Sequence, residues 1–340
     1  MMGNNQLMPN SHRFATDSQN VQTNRRSMHR RTMLATIAAS ATMGVTGCLP
    51  STSASEGTLE EVWGKRGQRK GQFQRPRAIT VDDEDRLYIV DMTGRIQVFD
   101  RGGVFQRAWR TPTIENGRPS GLGISRDGLI MVADTHYFQV LFYTKLGEPQ
   151  PNRTLGGTCG NSPGEFNFVT DVVQDSLGNY YVADYGEVDR IQKLDPNGQS
   201  IYQWGSQGSG KRQFQRPNSL AMGPNDHLWV ADACNHRIQV YDVALSAPRL
   251  VQVWGSHGVA AGQLRYPYDL ILTDDENLIV VEFGNHRVQK FGLDGQAVAS
   301  FGSAGRDEGQ FTQPWGAAVD SRNRVHVLDS YNHRVQRIRI

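Results

Sequence analysis

Six segments of this chain carry the same two landmarks at the same separation, and this repetition restricts the possible folds more than any other feature. Each segment has a proline, replaced once by a valine, and an acidic residue fifteen positions later. Successive segments start 43 to 50 residues apart, and the differences in length fall in glycine-rich stretches that we interpret as loops. The pairs are Pro76 and Asp91, Pro119 and Asp134, Val169 and Asp184, Pro217 and Asp232, Pro267 and Glu282, Pro314 and Asp329.

Each repeat contains four short runs of β-branched and aromatic residues, divided by turn residues such as Asp, Gly and Asn. In one repeat the first three runs cover residues 220–222, 228–231 and 237–241. Short runs of this kind predict antiparallel strands, and no amphipathic helix pattern occurs beyond residue 47. Four strands form a blade, and blades arranged radially form a β-propeller. The sequence therefore predicts an all-β, six-bladed β-propeller over residues 57–340.

The two ends of the repeat region complement each other. The last repeat stops after its third strand, at Ile340, whereas residues 59–64 match the fourth strand of other repeats, such as residues 252–255. We therefore expect this N-terminal strand to complete the last blade and to close the ring without an open edge.

The repeat sequence itself resembles a known family. The pattern G-x-F-x-x-P, then V-A-D, then N-H-R-[IV]-Q-x-[FY] is similar to NHL repeats; residues 210–240 form a full copy, and residues 282–289 and 329–336 are close to one. The first three repeats depart from the N-H-R element. The resemblance covers residues 57–340 and implies a six-bladed propeller that, in most of the family, serves as a binding platform rather than an enzyme.

The first 47 residues differ in composition from the rest. They contain five arginines and one acidic residue, whereas acidic residues exceed basic ones by two from residue 48 onward. Arg30 and Arg31 precede a mildly apolar run and resemble the twin-arginine export motif. Residues 45–48 resemble a lipobox, which implies lipidation at Cys48. An uncleaved helix or simple cleavage are the alternatives.

These features predict an export signal over residues 1–47 and a flexible tether over residues 48–56. The expected location is a membrane-anchored lipoprotein that faces the periplasm or the cell exterior. Export and the absence of excess positive charge in the body argue against nucleic acid as a partner.

Several repeated residues are interpreted as structural. His236, His286 and His333 occupy the same slot in successive repeats, so they should lie too far apart to bind one metal ion, and we predict no metal site. The repeated acidic residues are expected to form ion pairs with nearby arginines. This structural set comprises Asp91, Asp134, Asp184, Asp232, Glu282, Asp329, Arg237, Arg287 and Arg334.

A binding site should lie where the repeats differ. The positions after the repeated proline are polar or aromatic, differ in every repeat, and are expected at the mouth of the central channel. Variation among solvated loop ends would give the same pattern. Thr170 stands beside Asp171 in one of these slots. The candidate ligand face consists of seven residues: Arg77, Ser120, Asp171, Asn218, Tyr268, Asp269 and Trp315.

The expected function is a membrane-tethered binding or scaffold module, a monomer without a cofactor, that binds a protein, a peptide or an anionic polymer. Basic residues near the channel entrance and acidic turns on the opposite face would favour an anionic partner. The alternative is a lyase or lactonase-like enzyme at the channel mouth. The amidating lyase of peptidyl-hydroxyglycine has a similar fold with zinc histidines in Pro-His steps, and no Pro-His step occurs here, so no catalytic residue is assigned. Cys159 and Cys234 are expected to be free thiols, with a disulfide as the alternative.

Overall fold

The protein is described by a computed structural model that covers residues 55–244 and 247–340. Its strands form six sheets, blades 1 to 6, each with four antiparallel strands; in five blades all four come from one repeat, and in the sixth a strand that precedes the first repeat supplies one. Two strands precede the first repeat: β1 (Ser55–Glu56) and β2 (Thr58–Trp63).

The strands of blades 1 to 3 follow in chain order. Blade 1 contains β3 (Pro76–Val81), β4 (Leu87–Asp91), β5 (Arg95–Phe99) and β6 (Phe105–Arg110). Blade 2 contains β7 (Gly121–Ile124), β8 (Ile130–Asp134), β9 (Gln139–Tyr143) and β10 (Leu155–Gly156). Blade 3 contains β11 (Phe168–Gln174), β12 (Tyr180–Tyr185), β13 (Arg190–Leu194) and β14 (Ser200–Trp204).

The remaining strands form blades 4 to 6. Blade 4 contains β15 (Pro217–Met222), β16 (His227–Asp232), β17 (Arg237–Asp242) and β18 (Arg249–Trp254). Blade 5 contains β19 (Pro267–Leu272), β20 (Asn277–Glu282), β21 (Arg287–Gly292) and β22 (Ala297–Phe301). Blade 6 contains β23 (Ala317–Val319), β24 (Val325–Asp329) and β25 (Arg334–Arg339), together with β2. Short 3₁₀ helices cover Thr135–Tyr137, Pro151–Arg153, Pro224–Asp226, Ala233–Asn235 and Ser330–Asn332.

The hydrophobic core lies between neighbouring blades. Successive side chains of a strand point to opposite faces of its sheet, so each blade presents apolar residues to both neighbours. In blade 1, Tyr88 and Val90 of β4 pack with Leu122 and Ile130 of blade 2. The second strand of each blade is buried on both faces, which explains its nearly continuous apolar sequence. The predicted six-bladed propeller is confirmed.

The ring is closed by β2, as the sequence predicts. This strand pairs antiparallel with β25, and Leu59 lies opposite Ile338 while Trp63 lies opposite Val335. The Trp63 ring packs 4.7 Å from the ring of Phe99, between centroids, and so joins the closing strand to blade 1. The first and last strands of the ring therefore share one sheet.

The outer edge of blade 5 carries an additional strand. Ser55 and Glu56 of β1 pair in parallel with residues 299 and 300 of β22. The range predicted to be a flexible tether, 48–56, therefore ends in a two-residue strand. Cys48, Arg30, Arg31 and the rest of residues 1–54 lie outside the described residues. Within the described part of the chain, no helix has the length and apolar character needed to cross a membrane.

Candidate functional site

The repeated acidic residues lie at the end of the second strand of each blade. In five blades the carboxylate contacts an arginine that begins the third strand, and the arginine also donates to carbonyl groups of the loop before the blade, as Arg237 does to the Gly210 and Gln213 oxygens. These contacts fix the loop to its own blade. The nitrogen–oxygen distances are 3.1 Å for Arg95 and Asp91, 3.1 Å for Arg190 and Asp184, 2.7 Å for Arg237 and Asp232, 2.5 Å for Arg287 and Glu282, and 2.7 Å for Arg334 and Asp329.

Blade 2 departs from this pattern. Its acidic residue, Asp134, is buried and has no arginine partner, because Gln139 occupies the arginine position and donates one hydrogen bond of 3.1 Å. The Oδ1 atom of Asp134 contacts no donor among the described residues. Burial raises the pKa of this carboxyl to about 6. The ion pair expected at Asp134 is therefore not formed.

The three repeated histidines connect neighbouring blades rather than converging on one point. Each has a left-handed backbone conformation, with φ values between 55° and 59°. The Nδ1 atom of each accepts a hydrogen bond from a backbone N–H of the loop before the next blade: His236 from residue 266 at 3.0 Å, His286 from residue 313 at 2.9 Å, and His333 from residue 75 at 3.0 Å. In blade 3, Asp189 has the same role and accepts from the N–H of residue 216 at 3.1 Å.

All seven residues of the candidate ligand face line one cavity on the axis of the ring. The inner strands that carry them leave a space of about 30 Å³, which is enough for on the order of one water molecule. The channel is therefore too narrow for an organic ligand, and any such ligand would bind at its mouth. The lining residues of the candidate set are Arg77, Ser120, Asp171, Asn218, Tyr268, Asp269 and Trp315.

Several of these side chains are used to join blades. Ser120 lies 3.3 Å from the carbonyl oxygen of Thr170, and the Asn218 amide donates to the carbonyl oxygen of Tyr268 at 2.7 Å. The Thr170 hydroxyl donates to the Pro217 carbonyl at 2.6 Å. These residues line the mouth, but their polar atoms are occupied, which leaves fewer groups for a ligand than the sequence pattern indicates.

Two buried carboxylates of the channel share a serine. The Oγ atom of Ser219 lies 3.1 Å from Oδ2 of Asp171 and 2.8 Å from Oδ1 of Asp269. A hydroxyl has a single proton to donate, so both contacts are hydrogen bonds only if one carboxyl is protonated and donates to Ser219. Burial raises the pKa of Asp171 to about 7 and that of Asp269 to about 6. The three side chains therefore favour a bound proton near neutral pH.

The remaining polar group of the mouth is the Arg77 guanidinium. Its Nε atom is buried and contacts no acceptor among the described residues, and its closest aromatic contact is Trp315, 4.7 Å from the ring centre. Burial, followed by the nearby charge of Arg216, lowers the pKa of Arg77 to about 10. Trp315 belongs to an aromatic cluster in which the Tyr268 and Phe283 rings stack at 4.4 Å.

Sequence reasoning missed three residues of this site, although the repeat alignment carries a signal for each. Ser219 stands two positions after its proline, a slot that is polar in only three of the six repeats. Phe283 follows the acidic residue Glu282, and the antiparallel register places this end of β20 beside Pro267. His136 follows Asp134 by two positions and packs 5.2 Å from Phe168.

A groove between blades 3 and 4 is also lined by Arg216. It has a volume of about 300 Å³ and includes Tyr185, Asp189 and Cys234 in its walls. Cys159 and Cys234 are both free cysteines, the first exposed and the second half-buried. The guanidinium of Arg216 lies 5.1 Å from the ring centre of Tyr185 and 5.2 Å from that of Tyr268, so it stands between this groove and the channel mouth.

The residues at the mouth do not fit the zinc site of the amidating lyase. The positions after the inner prolines hold arginine, serine, asparagine, tyrosine and tryptophan, none of which replaces an imidazole ligand. Within residues 55–244 and 247–340, no three His, Cys, Asp or Glu side chains are grouped closely enough to hold a metal ion. No chemical step is therefore derived through zinc.

Fold and site together define a six-bladed β-propeller with a polar and aromatic channel mouth. The chain contains NHL repeats: the family described as NHL repeat matches residues 214–241 and 311–338. Peptidyl-glycine alpha-amidating monooxygenase A of Xenopus laevis is 40% identical over 131 residues, which are 36% of this chain and 14% of that protein. NHL repeat-containing protein 3 of Homo sapiens is 27% identical over 187 residues, 48% of this chain and 51% of that protein.

The chain thus spans about a seventh of the first relative and about half of the second. Solved structures of similar fold include a streptogramin B lyase, with a TM-score of 0.58, 14% identity and coverage of 82% of this chain and 96% of that one. A putative gluconolactonase matches with a TM-score of 0.59, 13% identity and coverage of 82% and 92%. At these identities the likeness shows the fold alone.

Proposed function

We propose that this NHL-repeat propeller is an exported, membrane-tethered binding module whose ligand contacts the channel mouth. The observation that supports it most is the contrast between two kinds of arginine. The arginines of the repeat frame are paired with carboxylates, such as Arg237 with Asp232, whereas Arg77 at the mouth has no partner among the described residues. A buried cation without a hydrogen-bonded anion can be stabilised by an anionic ligand.

The binding role is tested with the full chain in a thermal-shift screen against short peptides, acidic polysaccharides and small carboxylic acids. We expect some members to raise the melting temperature of the wild type, and Trp315→Ala to abolish the shift. The matched control is Leu177→Ala, since Leu177 is an apolar side chain that is 76% exposed in a turn between the first and second strands of blade 3. Shifts that survive Trp315→Ala, or disappear in Leu177→Ala, would contradict a ligand at the channel mouth.

The export and anchor are tested separately in a bacterial host with twin-arginine export. The wild type is expected in the membrane fraction with a labelled fatty acid on Cys48. Cys48→Ala should lose the label, and Arg30→Lys with Arg31→Lys should retain the precursor in the cytoplasm. A labelled protein after Cys48→Ala, or unchanged export after both arginine substitutions, would refute this part of the proposal.

A second candidate function is an enzyme of the lyase or lactonase type at the same mouth. The pair of Asp171 and Asp269 favours it, because carboxyl groups that titrate near neutral pH suit general acid and base roles. The test is acid release from a panel of lactones, followed for the wild type, Asp171→Asn and Asp269→Asn. Turnover that both substitutions abolish would support the enzyme, and turnover that both leave intact would exclude these carboxylates from it.

A further inference from the structure

The two arginines beside the channel mouth, Arg77 and Arg216, have no carboxylate partner among the described residues, unlike the arginines of the repeat frame such as Arg237. In the described part of the chain, the one side-chain acceptor of the Arg216 guanidinium is Oδ1 of Asn218, 3.3 Å from its Nε; Asp189 accepts from the backbone N–H of residue 216 and lies beyond ion-pair distance of the guanidinium. Both guanidinium groups instead lie against aromatic rings. Removing a cation from water without an anionic partner is unfavourable, so both positions would be stabilised by an added anion.

The nearby carboxylates cannot supply that anion. The oxygens of Asp171 accept from the backbone N–H groups of residues 172 and 220, at 2.8 Å and 2.9 Å. Those of Asp269 accept from residues 270 and 317, each at 2.9 Å. With Ser219 between them, these two side chains join the inner strands of blades 3 to 6 and favour a bound proton. The guanidinium groups of Arg77, which lines the cavity, and Arg216, which lies against Tyr268, are therefore left without an anionic partner among the described residues.

The wall beside the arginines consists of aromatic rings. Tyr268 and Phe283 stack with an interplanar angle of 25°, and Trp315 meets Tyr268 at a centroid distance of 5.2 Å. Because Tyr268 is only 7% exposed, the half-buried rings of Phe283 and Trp315 offer most of this surface to a planar group of a ligand. Because the channel below has room for about one water, a ligand that uses both features must remain at the mouth.

We infer that the channel mouth binds an anionic group, a carboxylate or a phosphate, through Arg77 and Arg216, and that a planar apolar part of the same ligand packs on Tyr268, Phe283 and Trp315. This inference rests on the proposed binding function and specifies its ligand class. A guanidinium presents parallel N–H donors that match the oxygens of either anion, so both share one recognition chemistry.

Calorimetric titration of the full chain with four probes tests the two halves of the inference. Phenyl phosphate and benzoate combine an anion with a ring, inorganic phosphate has the anion alone, and phenol has the ring alone. We expect one of the first two to bind most tightly, which identifies the preferred anion; inorganic phosphate should bind more weakly and phenol not measurably. Binding of phenol as tight as that of the ring-bearing anions would overturn the inference.

Substitutions locate the site. Arg77→Met is expected to raise the Kd of the better probe about tenfold or more, since a charge-assisted contact is lost, and Arg77→Lys to raise it less. Arg306→Met removes an exposed arginine from a loop without lining the cavity and should change the Kd less than about twofold. Equal effects of Arg77→Met and Arg306→Met would overturn the inference. Melting temperature serves as the folding control, and Arg77→Met should melt no lower than the wild type.

The outcome separates this inference from the function on which it rests. If both ring-bearing anions fail to bind while a neutral or cationic member of the thermal-shift panel still requires Trp315, the anion is wrong and the binding platform stands. If no calorimetric probe and no member of the thermal-shift panel requires Trp315, both the anion inference and the proposed binding function are wrong. If Arg77→Met still binds phenyl phosphate and Trp315→Ala does not, the ligand contacts the aromatic wall and the proposed contact with Arg77 is wrong.

Discussion

At the scale of single residues, the buried charges of this protein fall into two groups. Frame carboxylates such as Asp232 and Glu282 contact an arginine and backbone donors, so their desolvation is offset by hydrogen bonds. Asp134, by contrast, has a single side-chain donor and an oxygen without any partner in the described residues. A buried carboxyl in this position favours its neutral form.

This difference predicts that a conservative substitution of Asp134 increases the stability of the protein. Because the folded-state pKa of Asp134 is raised to about 6, its neutral form is stabilising at low pH, and that contribution is lost as the pH rises through 6. Asp134→Asn should therefore increase the free energy of unfolding at pH 8 by about 1–3 kcal/mol, and by much less at pH 4. Urea unfolding at both pH values measures this.

The matched control is Asp91→Asn, since Asp91 occupies the same slot in blade 1 and contacts Arg95 at 3.1 Å. This change should destabilise the protein at pH 8 because it leaves a buried guanidinium without its anion. Destabilisation of similar size by both substitutions would contradict the distinction between the two blades.

A second residue-scale prediction concerns the proton between Asp171 and Asp269. With folded-state pKa values of about 7 and 6, at least one carboxyl should be protonated at pH 6. Infrared spectroscopy in heavy water, on the Asp134→Asn variant so that Asp134 does not contribute, should show the carbonyl band of a carboxylic acid at pH 6, and this band should disappear as the pH rises to 9. Ser219→Ala should shift its titration by removing the shared hydroxyl, whereas Ser321→Ala, in a turn next to Asp320, should not. Absence of the band at pH 6 would show that both carboxyls are ionised.

The sequence predicted which residues line the channel mouth, but it did not predict their partners. All seven candidates lie where the repeat alignment placed them, because a fixed offset from the inner strand fixes the position in the ring. The ties between neighbouring blades, such as that from Asn218 to Tyr268, join residues 50 positions apart. No local pattern encodes such a contact, so occupied and available polar groups look alike in the sequence.

At the scale of elements, the turn between the second and third strands controls how each blade meets the next. In blades 4, 5 and 6 a histidine in this turn accepts from the following loop through Nδ1, which requires the neutral imidazole. The sequence predicted a structural role for these turns, and the partner in the next blade became visible only in three dimensions.

Acid should weaken these connections between blades. Burial is the main cause that lowers the pKa of His236, His286 and His333 below 6.5. The neutral imidazoles therefore stabilise the fold fully above pH 6.5, and this stabilisation is lost as the pH falls through the folded-state pKa. The free energy of unfolding that these histidine links contribute should therefore fall between pH 7.5 and pH 5, and the difference between the wild type and a histidine variant isolates it from the carboxyl groups that titrate in the same range. His286→Asn, which tolerates the left-handed backbone, should lower stability by about 1 kcal/mol at pH 7.5 and reduce this pH dependence.

The control for this prediction is His257→Asn, which removes an exposed imidazole that accepts no backbone hydrogen bond in the described residues. It should leave stability at pH 7.5 within about 0.5 kcal/mol of the wild type. If His286→Asn behaves like His257→Asn, the histidine links contribute nothing measurable.

At the scale of the whole molecule, the ring depends on one pair of strands. The repeats and the surplus strand near the N-terminus were sufficient to predict six blades and their closure, because each blade has the same local pattern and only one edge lacked a partner. The parallel strand β1 was not predicted, since two residues carry no periodicity.

Deleting residues 55–63 should open the ring. Without β2, the outer edge of β25 loses its antiparallel partner and Phe99 loses its contact with Trp63. We expect a lower melting temperature, and association of chains through the exposed edge, seen by light scattering. Adding a synthetic peptide of residues 57–64 should restore the melting temperature, and a scrambled peptide should not. A deletion variant that melts as the wild type does would show that β2 is dispensable.

The pairing of β2 with β25 also has a consequence for biosynthesis. More than 270 residues separate Leu59 from its partner Ile338, so the blade that closes the ring combines β2, which is synthesised before all six repeats, with β25, the last strand of the described chain. A nascent chain arrested before residue 334 would contain the strands of blades 1 to 5, but β2 would still lack its partner, β25. Such contacts across a long sequence separation form slowly, and the finished ring can appear only once translation has delivered its last strand.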